Sequence, residues 1–310
     1  MILPDARMPS TQMSGALMPG ALTIDVEEHF HVHAFADVID RRDWPNHESR
    51  VEANTDRILA ILAETGARGT FFVLGCVADD QPALVRRIVE AGHELASHGQ
   101  AHRAVFQQDR AAFHEDVRRS RLTLEDAGGV AVRGYRAPSF SIDARSPWAY
   151  DVLAEAGYTY SSSSHPITHD LYGDPDAPRH PFREPSAGML EIPITTLLWR
   201  GRRIPAGGGG FFRMFPLALI RANMARMRAE GVPPNFYLHP WEIDPGQPRI
   251  KNAPLKSRLR HTIGLRGCDS KLRRLASDGI WTRMDEAYHG WLDDLQGRDS
   301  DTGRDAAVAG

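Results

Sequence analysis

Cysteine is scarce in this chain: Cys76 and Cys268 are the whole complement in 310 residues. Two such thiols cannot frame a disulfide-stapled fold, so the core must be apolar, and free thiols in a reducing compartment are expected. Long apolar runs are missing too; nothing approaches the roughly 20 residues that span a bilayer. Residues 1–20 carry Pro, Ser, Gly and scattered Met, with no basic stretch leading into an apolar one. No secretory signal is therefore expected, and a cytoplasmic location is. Neither charge dominates: 37 Lys and Arg face 40 Asp and Glu, a net charge of −3. That balance gives no global footing for nucleic acid. Repeats of fixed period and low-complexity tracts are absent as well.

What is present is an ordinary globular composition, 42% hydrophobic and 25% charged. The length suits one large α/β domain or two small ones. Residues 1–20 and 297–310 are expected to be flexible tails around a single domain over 21–296. Ala21 to Val26 is a short apolar run ending in acids, expected as a buried strand. Val51 to Glu64 has helical apolar spacing closed by Gly66, and Gly69 to Leu74 is a second strand. A helix over Pro82 to Ala91 precedes a strand over His93 to Ser97. The alternation continues with a helix at Arg110 to Ala127, a strand at Val132 to Arg136, a helix at Pro147 to Ala156 and a strand starting at Gly157. Later strands are expected at Leu190 to Pro193 and Asn235 to Leu238, with a helix at Phe215 to Glu230 between them. Strands alternating with helices predict an α/β fold on a parallel sheet.

The chemistry-bearing residues fall where these strands give way to loops. His98 and His102 stand four apart in Ser97-His98-Gly99-Gln100-Ala101-His102. Two imidazoles at that spacing can close on one metal ion, although such a pair alone is weak evidence. Acids precede them in Asp25-Val26-Glu27-Glu28, and His239 follows in Tyr237-Leu238-His239-Pro240-Trp241. A carboxylate and two histidines with one open position form a common catalytic zinc site, so a metal-dependent hydrolase is expected. In a strand, Asp25 and Glu27 share a face and Glu28 points away.

The ordered set of motifs resembles the polysaccharide deacetylase superfamily (NodB homology, carbohydrate esterase family 4). The resemblance runs from about Ala21 to His239. Gly207 to Phe212 with Arg213, the run His239 to Pro245, and the segment around Arg266 and Lys271 to Leu275 look like the exopolysaccharide, exosortase-associated branch. The resemblance implies a distorted (β/α) barrel of about seven parallel strands, with a branch-specific C-terminal region over about 245–290. It implies Asp25 as general base. Val26 stands where that family carries a second aspartate, so Glu27 is the implied metal ligand, with Glu28 in reserve. His98 and His102 match the histidine ligands, and zinc or another divalent metal is the implied cofactor. Arg136, in Arg136-Ala137-Pro138-Ser139-Phe140, matches the arginine that orients the base. Ser139 matches the residue whose N–H meets the oxyanion, with Phe140 one place late for the usual aromatic. Ser161 stands where an acid often follows the aromatic of the fourth motif. His239 matches the general acid, and Phe140, Tyr237, Leu238 and Trp241 are the expected substrate contacts.

The implied activity is removal of N-acetyl groups from an N-acetylated exopolysaccharide or its precursor, releasing acetate. An amidohydrolase of the same fold acting on a cyclic amide or peptidoglycan is the alternative, as is a non-catalytic glycan-binding homologue. No nucleic-acid partner and no integral membrane segment are expected; the sequence assigns no oligomeric state. Blander readings hold elsewhere. His29, His31 and His33 read as a polar strand face or loop before a second metal site. His165 and His169 share the four-residue spacing without a family motif. Gly207 to Gly210 reads as a mobile loop beside the cleft. Phe211, Phe212 and Trp241 read as core or lid packing before sugar stacking. The basic run from Lys251 to Arg274 reads as a solvated helix face before a contact for an anionic glycan or lipid diphosphate.

Overall fold

The computed structural model describes residues 18–169 and 172–293. The two expected tails lie almost wholly outside these residues. Chain order begins β1 (Gly20–Val26), α1 (Val51–Thr65), β2 (Thr70–Val73), α2 (Gly75–Asp80), α3 (Pro82–Glu90) and β3 (Glu94–Ser97). It continues with α4 (Arg110–Gly128), β4 (Gly134–Tyr135), α5 (Ala149–Glu155), β5 (Tyr160–Ser161), β6 (Phe182–Arg183) and β7 (Leu190–Glu191). The last part holds β8 (Thr196–Trp199), β9 (Arg202–Pro205), α6 (Gly209–Met214), α7 (Leu217–Ala229) and β10 (Asn235–Leu238), then α8 (Leu255–Thr262), α9 (Leu265–Ala276), β11 (Trp281–Thr282) and α10 (Met284–Ala287).

Nine strands form one sheet in the order β10-β1-β2-β3-β4-β5-β7-β6, with β11 also paired to β1. All pairings are parallel except β6 with β7. The seven strands from β10 to β7 are the expected parallel set, and they curl into a half-barrel. β7 and β10 do not pair. Asn235 bridges that gap instead, donating from Nδ2 to the carbonyls of Ile192 (3.2 Å) and Pro193 (3.1 Å).

Period-two alternation sorts the side chains of β1, all seven residues of which are buried. Leu22, Ile24 and Val26 join the core between sheet and helices, with Phe71, Val73, Ile58, Ile61, Leu84 and Val117. Ala21 faces the other way, into a smaller core with Phe72, Ala96, Tyr160, Met284 and Tyr288 that plugs the barrel's floor. Asp25 and Glu27 continue that inward face toward the opposite end. α1 ends where Gly66 takes a left-handed φ of 68°, which glycine adopts without steric cost.

Several local expectations change. The Val132 to Arg136 strand pairs only at Gly134–Tyr135. The expected helix over Phe215 to Glu230 forms as α7 and starts two residues later, because Pro216 stands at its N-cap after the end of α6. The glycine run is no mobile loop. Gly207 accepts from the Tyr237 N–H and Gly208 bridges to Tyr237, so the run seals the open edge of β10. At Gly208, with φ of 130°, a Cβ would lie 1.9 Å from the Tyr237 carbonyl oxygen, so a side chain is excluded there. The 245–290 segment adds α8, α9 and a strand to the main sheet.

Candidate metal centre and cleft

Glu27, His98 and His102 converge just beyond the C-terminal ends of β1 and β3. Their ligand atoms all lie within 4.8 Å of one another, and this is the one such group among the described residues. His98 Nδ1 lies 2.9 Å from the Arg136 carbonyl. Donation to that carbonyl puts the proton on Nδ1 and leaves the Nε2 lone pair facing Glu27, the usual second-layer support of a metal-binding histidine. Burial lowers the His98 pKa to about 4, so the ring is neutral at pH 7. Glu27 Oε2 is 2.7 Å from His102 Nε2 and 3.9 Å from His98 Nε2. It is buried and has no well-aligned hydrogen bond. Burial alone would raise the Glu27 pKa, but His102, His239 and His98 outweigh it and hold the carboxylate below its ordinary range. An orphaned buried carboxylate oxygen facing imidazole nitrogens fits a divalent cation, and its N/O donors suit zinc among other ions.

Glu28 is spent elsewhere. Its carboxylate accepts from Ser49 Oγ (2.7 Å), Arg50 N (2.9 Å) and Val51 N (3.0 Å). It thereby caps the start of α1, whose own N-cap position supplies no side-chain acceptor.

Asp25 is 2% exposed and Arg136 is fully buried. Arg136 Nη1 donates to Asp25 Oδ1 (2.6 Å) and to Thr23 Oγ1 (2.7 Å). Its Nε and Nη2 bind the carbonyl and hydroxyl of Ser162 at 3.0 and 2.9 Å. Its guanidinium rests 4.1 Å above the Phe72 ring centroid. The serines after Tyr160 thus take over support of the arginine. Glu191 braces them, accepting from the N–H groups of Ser163 and Ser164.

His239 enters from the end of β10. Its Nε2 is 3.7 Å from Glu27 Oε1 and 3.9 Å from Asp25 Oδ2. Its Nδ1 lies 3.4 Å from Glu242 Oε1, and its ring stacks on Trp241 at 5.0 Å. Burial alone would lower its pKa, but Glu27, Glu242 and Asp25 raise it to about 9. Trp241 Nε1 in turn donates to Glu27 Oε1 at 3.2 Å and stacks on His261 at 4.3 Å.

These groups line one cleft of about 350 Å³, walled by Ser139, Phe140, Tyr172 and Tyr237 on one side and by Phe211, Trp241 and His261 on the other. Three non-glycine residues on its wall have left-handed φ: His102 (50°), Ser139 (56°) and Phe140 (49°). Backbone strain of this kind collects where a fold must aim particular groups.

Leu238 corrects one expectation. It is fully buried in the core between sheet and helices, because alternation along β10 turns Tyr237 and His239 inward and Leu238 outward. Phe212 is likewise core, edge-on to Phe236, while Phe211 lines the cleft. His29, His31 and His33 lie beyond β1 in turns and form no metal group with ligand atoms close enough. His31 instead hydrogen-bonds the Glu28 N–H and stacks on Trp44. His165 is buried against Phe140 and Tyr172, and His169 lies on the cleft wall. Glu242, Glu191, Thr23 and His261 were not singled out by sequence reasoning. Glu242, three residues past His239 on the turn Pro240–Ile243, had the most accessible signal.

The fold and site define an α/β half-barrel with a buried acid–histidine–histidine centre at the strand ends. A family model described as polysaccharide deacetylase matches residues 32–161, and a model described as a domain of unknown function, DUF3473, matches 162–289. Chitooligosaccharide deacetylases from Bradyrhizobium sp. (strain ANU 289) and Sinorhizobium fredii (strain NBRC 101917 / NGR234) are 35% identical over 101 residues and 38% over 104. Each match covers 32% of this chain and only 43% or 44% of the relative. A solved structure from Mycobacterium smegmatis shares the fold with a TM-score of 0.56 and 20% identity over 90% of both chains. Residues 32–161 are thus similar to the polysaccharide deacetylase family, and the chain spans less than half the length of the curated relatives it matches.

Proposed function

We propose that this chain is a metal-dependent deacetylase that removes N-acetyl groups from an N-acetylhexosamine-containing exopolysaccharide or its precursor, releasing acetate. The observation that carries this reading is the convergence of Asp25, His239 and the Glu27–His98–His102 group on one cleft. The deacetylase family match and the chitooligosaccharide deacetylase relatives support the reaction class. The glycine run and the segment from His239 to Pro245 support the exopolysaccharide branch of the family.

Glu27, His98 and His102 would hold the divalent cation. Such an ion supplies Lewis acidity that polarises an amide carbonyl and acidifies water. The side chains divide the remaining chemistry. Arg136 pins Asp25 Oδ1 and leaves Oδ2 toward the cleft, where it takes the proton of the attacking water. The Ser139 N–H stabilises charge developing on the carbonyl oxygen. His239, with Nδ1 beside Glu242, gives its proton to the departing sugar nitrogen as the C–N bond breaks. Phe140, Tyr237 and Trp241 offer ring faces and edges to the sugar. The test is acetate release from N-acetylglucosamine oligomers, before and after chelation and zinc return, beside Asp25→Asn. The expected result is chelator-sensitive release that Asp25→Asn abolishes. Absence of release by the zinc-loaded wild type would overturn the reading.

A further inference from the structure

α8 is anchored by one face and exposes leucines on the other. His261 turns inward onto Trp241, and the Arg213 guanidinium of α6 donates to the backbone carbonyls of Arg260, His261 and Ile263. The outward face carries Leu255 and Leu259, 67% and 59% exposed, and Ile263, 46% exposed, follows just past the helix's end at Thr262. Met214 and Phe215, at the end of α6, are exposed apolar residues as well. Met214, Ser257, Arg260 and Ile263 also line the cleft, so one end of this apolar stripe borders the candidate site.

The segment that carries the helix is cationic. Between Pro245 and Cys268 the sequence holds six Lys and Arg and no Asp or Glu. The wider segment 199–274 holds sixteen Lys and Arg against four Asp and Glu, in a chain whose net charge is −3. Exposed leucines on a stretch that holds cations and no acids between Pro245 and Cys268 match a surface that is apolar below and anionic above. A soluble polyanion would draw on the cations and leave the leucines unused. A second copy would bring two like-charged faces together.

We propose that the α8 face is an interfacial docking surface for an anionic lipid bilayer, which sets the mouth of the cleft at the membrane surface. Leu255, Leu259 and Ile263 enter the headgroup–acyl boundary, and the neighbouring cations meet lipid phosphate. This is independent of the deacetylase reading, because it is measured without turnover.

The experiment is co-sedimentation of the full chain with phosphatidylcholine vesicles and with vesicles containing about one-third phosphatidylglycerol. The wild type is expected to partition onto the anionic vesicles at least about tenfold more strongly than onto neutral ones. Leu255→Glu/Leu259→Glu should lose that partition about tenfold, with unchanged circular dichroism and melting temperature. If that variant melts early, Leu255→Gln/Leu259→Gln takes its place. Leu122→Glu, an exposed leucine on α4, should bind like the wild type. No anionic partition by the wild type, or equal binding by the leucine variants, overturns the proposal. So does a wild-type dimer in size exclusion that the leucine variants dissolve, because that result gives the face to a second copy.

Discussion

Arg136 Nη1 sits 2.6 Å from Asp25 Oδ1, and neither side chain is more than 2% exposed. A guanidinium taken out of water is tolerable only with its donors met. Here Asp25, Thr23 and Ser162 receive them, and Phe72 covers the plane. The pair therefore ties β1, β4 and the segment after β5 together at the same point where it aims a carboxylate into the cleft.

Truncating Arg136 should expose this double role. Arg136→Ala leaves Asp25 buried and uncompensated, a loss of about 3–5 kcal/mol. For a chain of this size that is a drop in melting temperature on the order of 10 °C. Arg136→Lys keeps the charge but cannot reach Asp25 and Ser162 together, so it should melt between the two and still lose most acetate release. Calorimetry reads the first effect. Equal melting of Arg136→Ala and wild type would mean the pair holds nothing together.

The two adjacent glutamates separate metal binding from helix capping. Glu27→Gln should lower zinc affinity by about a hundredfold or more, because it removes the only carboxylate of the group. Glu28→Gln should keep stoichiometric zinc and cost about 1–2 kcal/mol of stability, because it weakens the cap on α1. His98→Ala should lose the metal as Glu27→Gln does. Metal analysis after dialysis with a matched denaturation series checks all three, and metal lost from Glu28→Gln with retention in Glu27→Gln would reverse the assignment.

Much of this arrangement was legible in the sequence. β1 reads as a buried strand ending in acids, and period two puts Asp25 and Glu27 together with Glu28 apart. The helix–strand alternation from Val51 to Ser97 carries its own stops at Gly66 and Gly92. What was not legible depends on distant partners. Gly207 to Gly210 looks like a free loop because nothing local shows that Tyr237 will lie against it. β9 and α8 sit where cations interrupt the apolar pattern. The role of Glu28 is set by residues 49–51, over twenty positions away, and Leu238 required the inward face of β10 to be known.

Glu242 should set the basic limb of the pH–rate profile. His239 is raised to about 9, with Glu27 and Glu242 among the groups that hold its proton. Glu242→Gln removes one of those charges, so the imidazolium loses its proton at lower pH and the basic limb of kcat/KM moves down. The loss should be several-fold in alkaline buffer and small near pH 6. A limb that stays in place would show that Glu242 does not act on His239.

His165 carries an acid-lability prediction that does not involve the metal group. Both ring nitrogens are buried without a hydrogen-bond partner, among Phe140, Tyr172 and Tyr237. Burial lowers its pKa from 6.5 to about 3. The folded state therefore refuses a proton that the unfolded chain accepts, and stability from this site is full above pH 6.5 and falls as the pH drops toward 3. At pH 5 the loss is about 2 kcal/mol for one histidine. His165→Phe keeps an aromatic ring in an aromatic pocket and removes both unpaired nitrogens. Its stability near pH 7 should lie within about 1.5 kcal/mol of wild type, since the larger ring must be accommodated. Between pH 7 and pH 5 it should lose about 2 kcal/mol less than the wild type does. Urea denaturation at the two pH values measures both numbers, and equal acid losses in the two proteins would show that His165 finds a proton or a partner in the folded state.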